Sequence, residues 1–211
     1  SRSTESEVPL FLSARNVADF LKKHPGTTAI DALPHQLKEL FLIKNPQLAA
    51  NKAKALTSPA FIKFAQSKTS AHTYVYYPWL NRIVKTVRAE DYYTLKTNRN
   101  QDLITESEQR KLESFRIAVL GLSVGSNIAF LATQAGISKE IVVADFDDLD
   151  TTNLNRIFGG AHQIGLHKCI LAARRIYEDN PFAKVTLLKE GVNERNLEAL
   201  LKKKKIDCIV E

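Results

Sequence analysis

Methionine is absent from all 211 residues, even at position 1, so the chain reads as a piece of a longer protein. It stops at Glu211, inside what reads as a strand, which points the same way. Cysteine is scarce: Cys169 and Cys208 alone cannot build a disulfide framework or a four-thiolate zinc site. No apolar run approaches the ~18 residues that span a bilayer. The opening SRSTESEVPL has no apolar signal core, so a reducing cytoplasmic setting away from membranes is expected. With 44% hydrophobic and 25% charged residues, the composition is that of a globular protein and excludes a disordered or collagen-like chain.

A net charge of +7 is unevenly spread. Residues 1–107 hold 15 Lys and Arg against 9 Asp and Glu, whereas residues 108–211 hold 15 against 14. The basic excess could attract nucleic acid or an acidic protein surface. Without RNA-binding aromatic signatures or zinc-finger spacing, a solvated basic surface is preferred to nucleic-acid binding.

Two regions are expected. Residues 1–107 form a mainly helical N-terminal region, with apolar spacing over 8–65 interrupted at Pro25, Pro34, Pro46 and Pro59. The aromatic stretch TYVYYPWL from Thr73 reads as a short strand and turn packed on a core. Thr105 and Glu108 have the spacing of a capping box, which predicts a helix over 106–113. Residues 108–211 then alternate strand and helix: strands at 116–120, 140–144, 184–188 and 206–210, and helices at 126–135, 166–178 and 193–203. Gly136 suits a left-handed helix end and Asn180-Pro181 ends the next helix. The fold class is α/β, a Rossmann-like parallel sheet flanked by helices.

The first of these strands runs into Gly121-Leu-Ser-Val-Gly125-Ser126. A glycine turn between a buried strand and a helix exposes N–H groups at the positive end of the helix dipole, where phosphate is favoured. Ser123 and Ser126 stand where two glycines of the dinucleotide fingerprint would be. Asp145 ends the second strand, 24 positions after Gly121. It suits a ribose carboxylate, and equally a turn or helix cap. The stretch ADFDDLDTTNLNR places Asp145, Asp147, Asn153 and Arg156 in one loop, and Gly165-Leu-His-Lys168 follows at a helix start. A dinucleotide requires neither Arg156 nor Lys168, whereas a triphosphate needs cations, Arg as a fork and Lys as a point charge. Asn153 could bond phosphate or ribose, and His167 could face phosphate or solvent.

GLSVGS, ADFDDLDTTNLNR, GLHK and Asn180-Pro181 together make residues 116–211 resemble the ThiF-type family. This family comprises the adenylating domains of ubiquitin-activating enzymes and of the bacterial proteins that activate sulfur carriers. The upstream stretch YVYYPWLNRIVKTV to LITESEQ is similar to the leader of a bacterial branch with a helical N-terminal region, sometimes joined to a nitroreductase-like domain. The resemblance implies ATP and Mg2+, and activation of a carboxylate as an acyl-adenylate. The carboxylate implied is the C-terminus of a small ubiquitin-like or sulfur-carrier protein. It assigns the nucleotide loop to Gly121, Ser123 and Gly125, ribose to Asp145 with Asp147 nearby, and phosphate contacts to Asn153 and Arg156. Lys168 would stabilise the charge leaving with pyrophosphate, so Arg156 and Lys168 are the expected catalytic pair. The chain departs from the family pattern at Ser123, usually Gly, and at Ile157, where many members have Gln. The family's Mg2+-linked Asp would fall after Glu211, so the domain is expected to be truncated at its C-terminal end. No metal ligand is expected within the chain.

Two other functions use the same residues: a dinucleotide-dependent oxidoreductase and a non-catalytic nucleotide-binding or scaffold domain. Cys169, on an apolar helical stripe, and Cys208, in a strand, are expected to be structural rather than nucleophilic. A homodimer is expected from the resemblance and from Leu154, Ile157, Phe158 and Ile164, which a lone loop would expose.

Overall fold

The computed structural model describes residues 7–68, 71–198 and 205–211, and the chain divides into two units, 1–99 and 100–211. The first contains β1 (Leu10–Leu12), α1 (Ala14–Lys23), β2 (Thr28–Asp31), α2 (Leu33–Lys44), α3 (Lys52–Leu56), α4 (Pro59–Lys68), β3 (His72–Tyr77), β4 (Arg82–Val87) and α5 (Ala89–Thr97). Its sheet runs β1-β3-β4-β2, antiparallel except for the parallel β4–β2 pair. Helical residues outnumber strand residues, but β1 and β2 interrupt the stretch 8–65 that reads as helical in sequence. The prolines behave as expected of residues that open helices: Pro34 and Pro59 lie in the first turns of α2 and α4. Tyr76 and Tyr77 of the aromatic stretch are buried. Leu33, Leu37 and Val87 form a core with Phe64, Tyr92 and Leu95 packed against it.

The second unit contains α6 (Glu106–Ser114), β5 (Arg116–Leu120), α7 (Gly125–Gln134), β6 (Glu140–Ala144), α8 (Lys168–Asp179), β7 (Lys184–Leu188), α9 (Glu194–Glu198) and β8 (Cys208–Val210). The expected helix over 193–203 extends outside the described residues beyond Glu198. The capping box forms: Thr105 Oγ1 accepts from the Glu108 N–H at 3.3 Å, and Glu108 Oε2 accepts from the Thr105 N–H at 2.7 Å. Gly136, at φ +77°, ends α7, and the Ile137 N–H reaches back to the Ala132 carbonyl.

The sheet is wholly parallel, in the order β7-β6-β5-β8. The chain therefore winds outward from β5 to β7 and then returns to the other side of β5. In open α/β sheets this reversal opens a crevice at the carboxyl ends of the strands. Ile117 and Val119 of β5 pack with Ile141, Val143, Ala129, Cys169 and Ile176 on one face. Ala118 and Val142 bury the other face with Leu120, Leu188 and Ile206. Burial on both faces is why these strands read as short apolar runs.

Candidate nucleotide site at the carboxyl ends of β5 and β6

Gly121 leaves β5 with φ +83°, a conformation that L side chains rarely adopt, and nothing lies within 4 Å of where its Cβ would be. The demand there is conformational. Gly125 is different: a Cβ would stand 2.8 Å from Val119 Cγ1. It lets the start of α7 press on β5, a packing role distinct from the ligand approach expected of it. Ser123 is not among the residues at positive φ, so the backbone does not call for glycine there. At the α7 N-cap stands Val124, with no side-chain cap hydrogen bond. The first-turn N–H groups that lack helical acceptors are thus left to solvent or a ligand.

Asp145 is buried, and its carboxylate ties the site together. Oδ2 accepts from the Leu122 N–H at 2.6 Å and Oδ1 from the Asp147 N–H at 2.9 Å. Lys168 Nζ lies 3.8 Å from Oδ1 and donates to Asp147 Oδ2 at 2.7 Å. The Lys168 side chain is 7% exposed and that of Asp147 52%, so the pair has one buried and one solvated partner. Two of the ammonium's three donors have no hydrogen-bond partner among the described residues.

Arg156 comes to the neighbouring residue of the same turn. Its Nε donates to Ser123 Oγ at 2.5 Å, and Nη1 donates to the Thr152 carbonyl at 3.2 Å and to Asn155 Oδ1 at 2.9 Å. Asn127, not singled out in the sequence, donates from Nδ2 to the Arg156 carbonyl at 2.8 Å. Its position in the first turn of α7 was the only available signal. Asn153 is buried and its Oδ1 accepts from the Asp150 N–H at 3.0 Å. That oxygen shapes the loop.

His167 caps α8: Nδ1 accepts from the Cys169 N–H at 3.2 Å, which leaves Nε2 to donate to the Lys189 carbonyl at 3.2 Å. Both ring nitrogens are engaged within the domain. This cap delays α8 to Lys168, two residues after the start read from the sequence. Cys169 is fully buried, and burial pushes its thiol up to about 11, the opposite of an activated nucleophile. Cys208 is exposed. The loop 151–165 does not expose its apolar residues as a set. Ile157 is buried with Leu149 and Leu171, and Leu154 packs against them. Phe158 remains 65% exposed, with the Arg175 guanidinium between it and Phe130, 4.0 and 4.1 Å from the ring centroids. Among the described residues no three His, Cys, Asp or Glu converge on a metal site, and no helix is long and apolar enough to cross a membrane.

A parallel α/β sheet of Rossmann-like order brings an uncapped helix N-terminus, the buried Asp145 carboxylate and the cations Arg156 and Lys168 together at its carboxyl edge. A sequence model of the ThiF family matches residues 95–211, more than half of the chain, and the chain belongs to that family. An uncharacterised protein of Mycobacterium tuberculosis is 36% identical over 141 residues, 67% of this chain and 19% of that protein. Ubiquitin-like modifier-activating enzyme 5 of Xenopus laevis is 32% identical over 98 residues, 46% of this chain and 24% of that enzyme. The chain thus matches about a fifth to a quarter of the length of these curated relatives. Among solved structures, E. coli tRNA N6-threonylcarbamoyladenosine dehydratase in complex with AMP has a TM-score of 0.53 and 27% identity, covering 59% of this chain and 49% of that one. Its complex with ATP gives 0.50 and 28%, covering 55% and 48%.

Proposed function

We propose that the second unit binds ATP and serves an adenylating enzyme that activates a carboxylate. One observation carries the reading: adjacent residues of the β5–α7 turn are bonded to the two halves of a charged site. The Leu122 N–H meets Asp145, which Lys168 approaches, and the Ser123 hydroxyl meets Arg156. The similarity to a dehydratase solved with ATP and with AMP supports the choice of nucleotide. Gly121, Ser123 and Gly125 would border the nucleotide, Asp145 and Asp147 would face the ribose, and Asn153, Arg156 and Lys168 the phosphates.

In adenylation a carboxylate oxygen bonds to the α-phosphorus, the bond to the bridging oxygen breaks, and pyrophosphate carries the charge away. The residues contribute position and charge, not covalent chemistry. Arg156 would hold phosphate oxygens as a fork. Lys168 would place a positive charge, fixed by Asp147, where negative charge accumulates. Mg2+ would enter with the triphosphate and neutralise its oxygens, since the described residues form no cage of their own. The carboxylate we favour is the C-terminus of a small ubiquitin-like or sulfur-carrier protein, on the strength of the similarity to a modifier-activating enzyme.

Calorimetry with ATP and with NAD in parallel tests the reading. ATP is expected to bind more tightly, and equal or tighter NAD binding would overturn the assignment in favour of an oxidoreductase. Arg156→Ala is expected to weaken ATP binding by about 1.5–3 kcal/mol, the contribution typical of a charged hydrogen bond, with the fold intact. Pyrophosphate exchange in the full-length protein separates an enzyme from a nucleotide-binding scaffold. Pairing of two copies belongs to the same reading. Its support is now the exposed row Val124, Ile128 and Leu131 along α7, spaced to share one helical face. Light scattering that gives a monomer at high micromolar concentration, with ATP still bound, removes the dimer.

A further inference from the structure

We infer that Ser123 and Asn127 are positioning residues that hold Arg156 ready for the triphosphate; the inference rests on the nucleotide reading above. Arg156 is gripped at both ends by the strand–turn–helix opposite it. The Ser123 hydroxyl takes the guanidinium Nε–H at 2.5 Å, and the Asn127 amide donates to the Arg156 carbonyl at 2.8 Å. Two further bonds from Nη1, to Thr152 O and Asn155 Oδ1, fix the plane of the guanidinium. Its Nη2, with two N–H donors, has no hydrogen-bond partner among the described residues. A long exposed arginine normally loses side-chain freedom when it meets a ligand. Here three donor contacts have already ordered it beside the uncapped N-terminus of α7, the end of a helix that favours phosphate.

Both gripping residues carry a sign of this task. Ser123 is not among the residues at positive φ, so the backbone makes no demand on its identity, and its hydroxyl meets Arg156. Asn127 holds its Oδ1 buried with no hydrogen-bond partner among the described residues, an uncompensated desolvation. The opposite amide orientation would set Oδ1 against the Arg156 carbonyl, so the donor must face that carbonyl. The amide is kept for what its nitrogen holds.

The test uses the full chain and has one arm without ligand. In 15N NMR, the Arg156 Nε–H, identified by its loss in Arg156→Ala, is expected to exchange slowly in the parent and in Ser123→Thr. It is expected to exchange fast in Ser123→Ala and Ser123→Gly, either of which serves if the other folds poorly. By calorimetry, removing the hydroxyl is expected to weaken ATP binding about fivefold, ~1 kcal/mol, and Ser123→Thr to restore it. In an Arg156→Ala background the same removal is expected to change nothing, and Asn127→Ala is expected to follow the same pattern. Equal losses in both backgrounds would mean that Ser123 acts on ATP binding independently of Arg156 and would overturn the inference alone. So would a Ser123→Ala protein with unchanged ATP affinity or unchanged Nε–H exchange. A parent that fails to bind ATP overturns the nucleotide reading and this inference together.

Discussion

Gly125→Ala sets two effects against each other. Alanine is the better helix former by up to ~1 kcal/mol, less in a first turn. Against this, the new methyl would stand 2.8 Å from Val119 Cγ1, whereas carbon atoms rest ~3.5–4.0 Å apart. The gap must open by about 0.7–1.2 Å. Val119 cannot yield easily: it is fully buried on β5, its branched side chain is stiff at χ1, and β6 and β8 pair with its strand on either side. Overpacking of this kind costs about 1–3 kcal/mol. The net expectation is a loss of about 1–2 kcal/mol, read as a lower urea midpoint with an unchanged slope. Val119→Ala alone should cost about 2–3 kcal/mol for lost burial and a cavity. In the double variant the added methyl occupies part of the vacated space, so the losses should fall short of their sum by at least about 1 kcal/mol. Gly121→Ala gives the contrast. Its cost of about 1–2 kcal/mol comes from backbone handedness, and Val119→Ala should not relieve it. A Gly125→Ala protein as stable as the parent, or strictly additive losses with Val119→Ala, would refute the packing argument.

Asp145→Asn exchanges one carboxylate oxygen for a donor that faces the N–H of Leu122 or Asp147, and should cost about 2–3 kcal/mol. Amide hydrogen exchange at Leu122 should speed up first. Ellman's reagent should titrate Cys208 in the native protein and Cys169 only after unfolding, because burial raises the Cys169 thiol to about 11; native modification of Cys169 would contradict its placement. At Asp91 burial pushes the carboxyl up, but the hydrogen bonds from Lys68 and Lys44 outweigh it and hold the pKa below its ordinary value. A depressed native pKa gives stability that is present above the unfolded value and lost as pH falls through the native one. Asp91→Asn should therefore be less stable than the parent at pH 7 by about 1–2 kcal/mol, since both lysines keep some exposure. Urea midpoints should converge as the pH drops below 4; a constant gap would mean that the charge of Asp91 is irrelevant.

Much of the second unit was legible because its signals are local. The runs RIAVL and EIVVA are strands buried on both faces, Gly136 ends its helix by conformation, and Thr105 with Glu108 form their cap within four residues. The first unit hid more. β1 and β2 are the three- and four-residue strands LFL and TAID, too short for alternation to show, and largely exposed. β1 exists through pairing with β3, with Leu10 opposite Tyr76, a relation no window of sequence contains. The start of α8 was misplaced for a chemical reason: its cap is the imidazole of His167, outside the usual Ser, Thr, Asp and Asn set.

The site shows the same division in sharper form. Glycines in such a loop invite the reading that all of them admit a ligand, yet the structure gives Gly121 to a left-handed turn and Gly125 to contact with Val119. Neither needs a nucleotide to explain it. The charged residues are harder to account for by folding alone. Lys168 is buried to the level of its ammonium, where an aliphatic side chain would cost less, and its partner Asp147 could have been solvated without it. Arg156 is exposed and contributes nothing to a core, yet it is held from both ends by Ser123 and Asn127. An exposed cation held in this way outside any core is what the proposed phosphate contact would use. The functional reading therefore stands on Arg156 and Lys168 more than on the glycine turn, and substitutions at these two residues test it most directly.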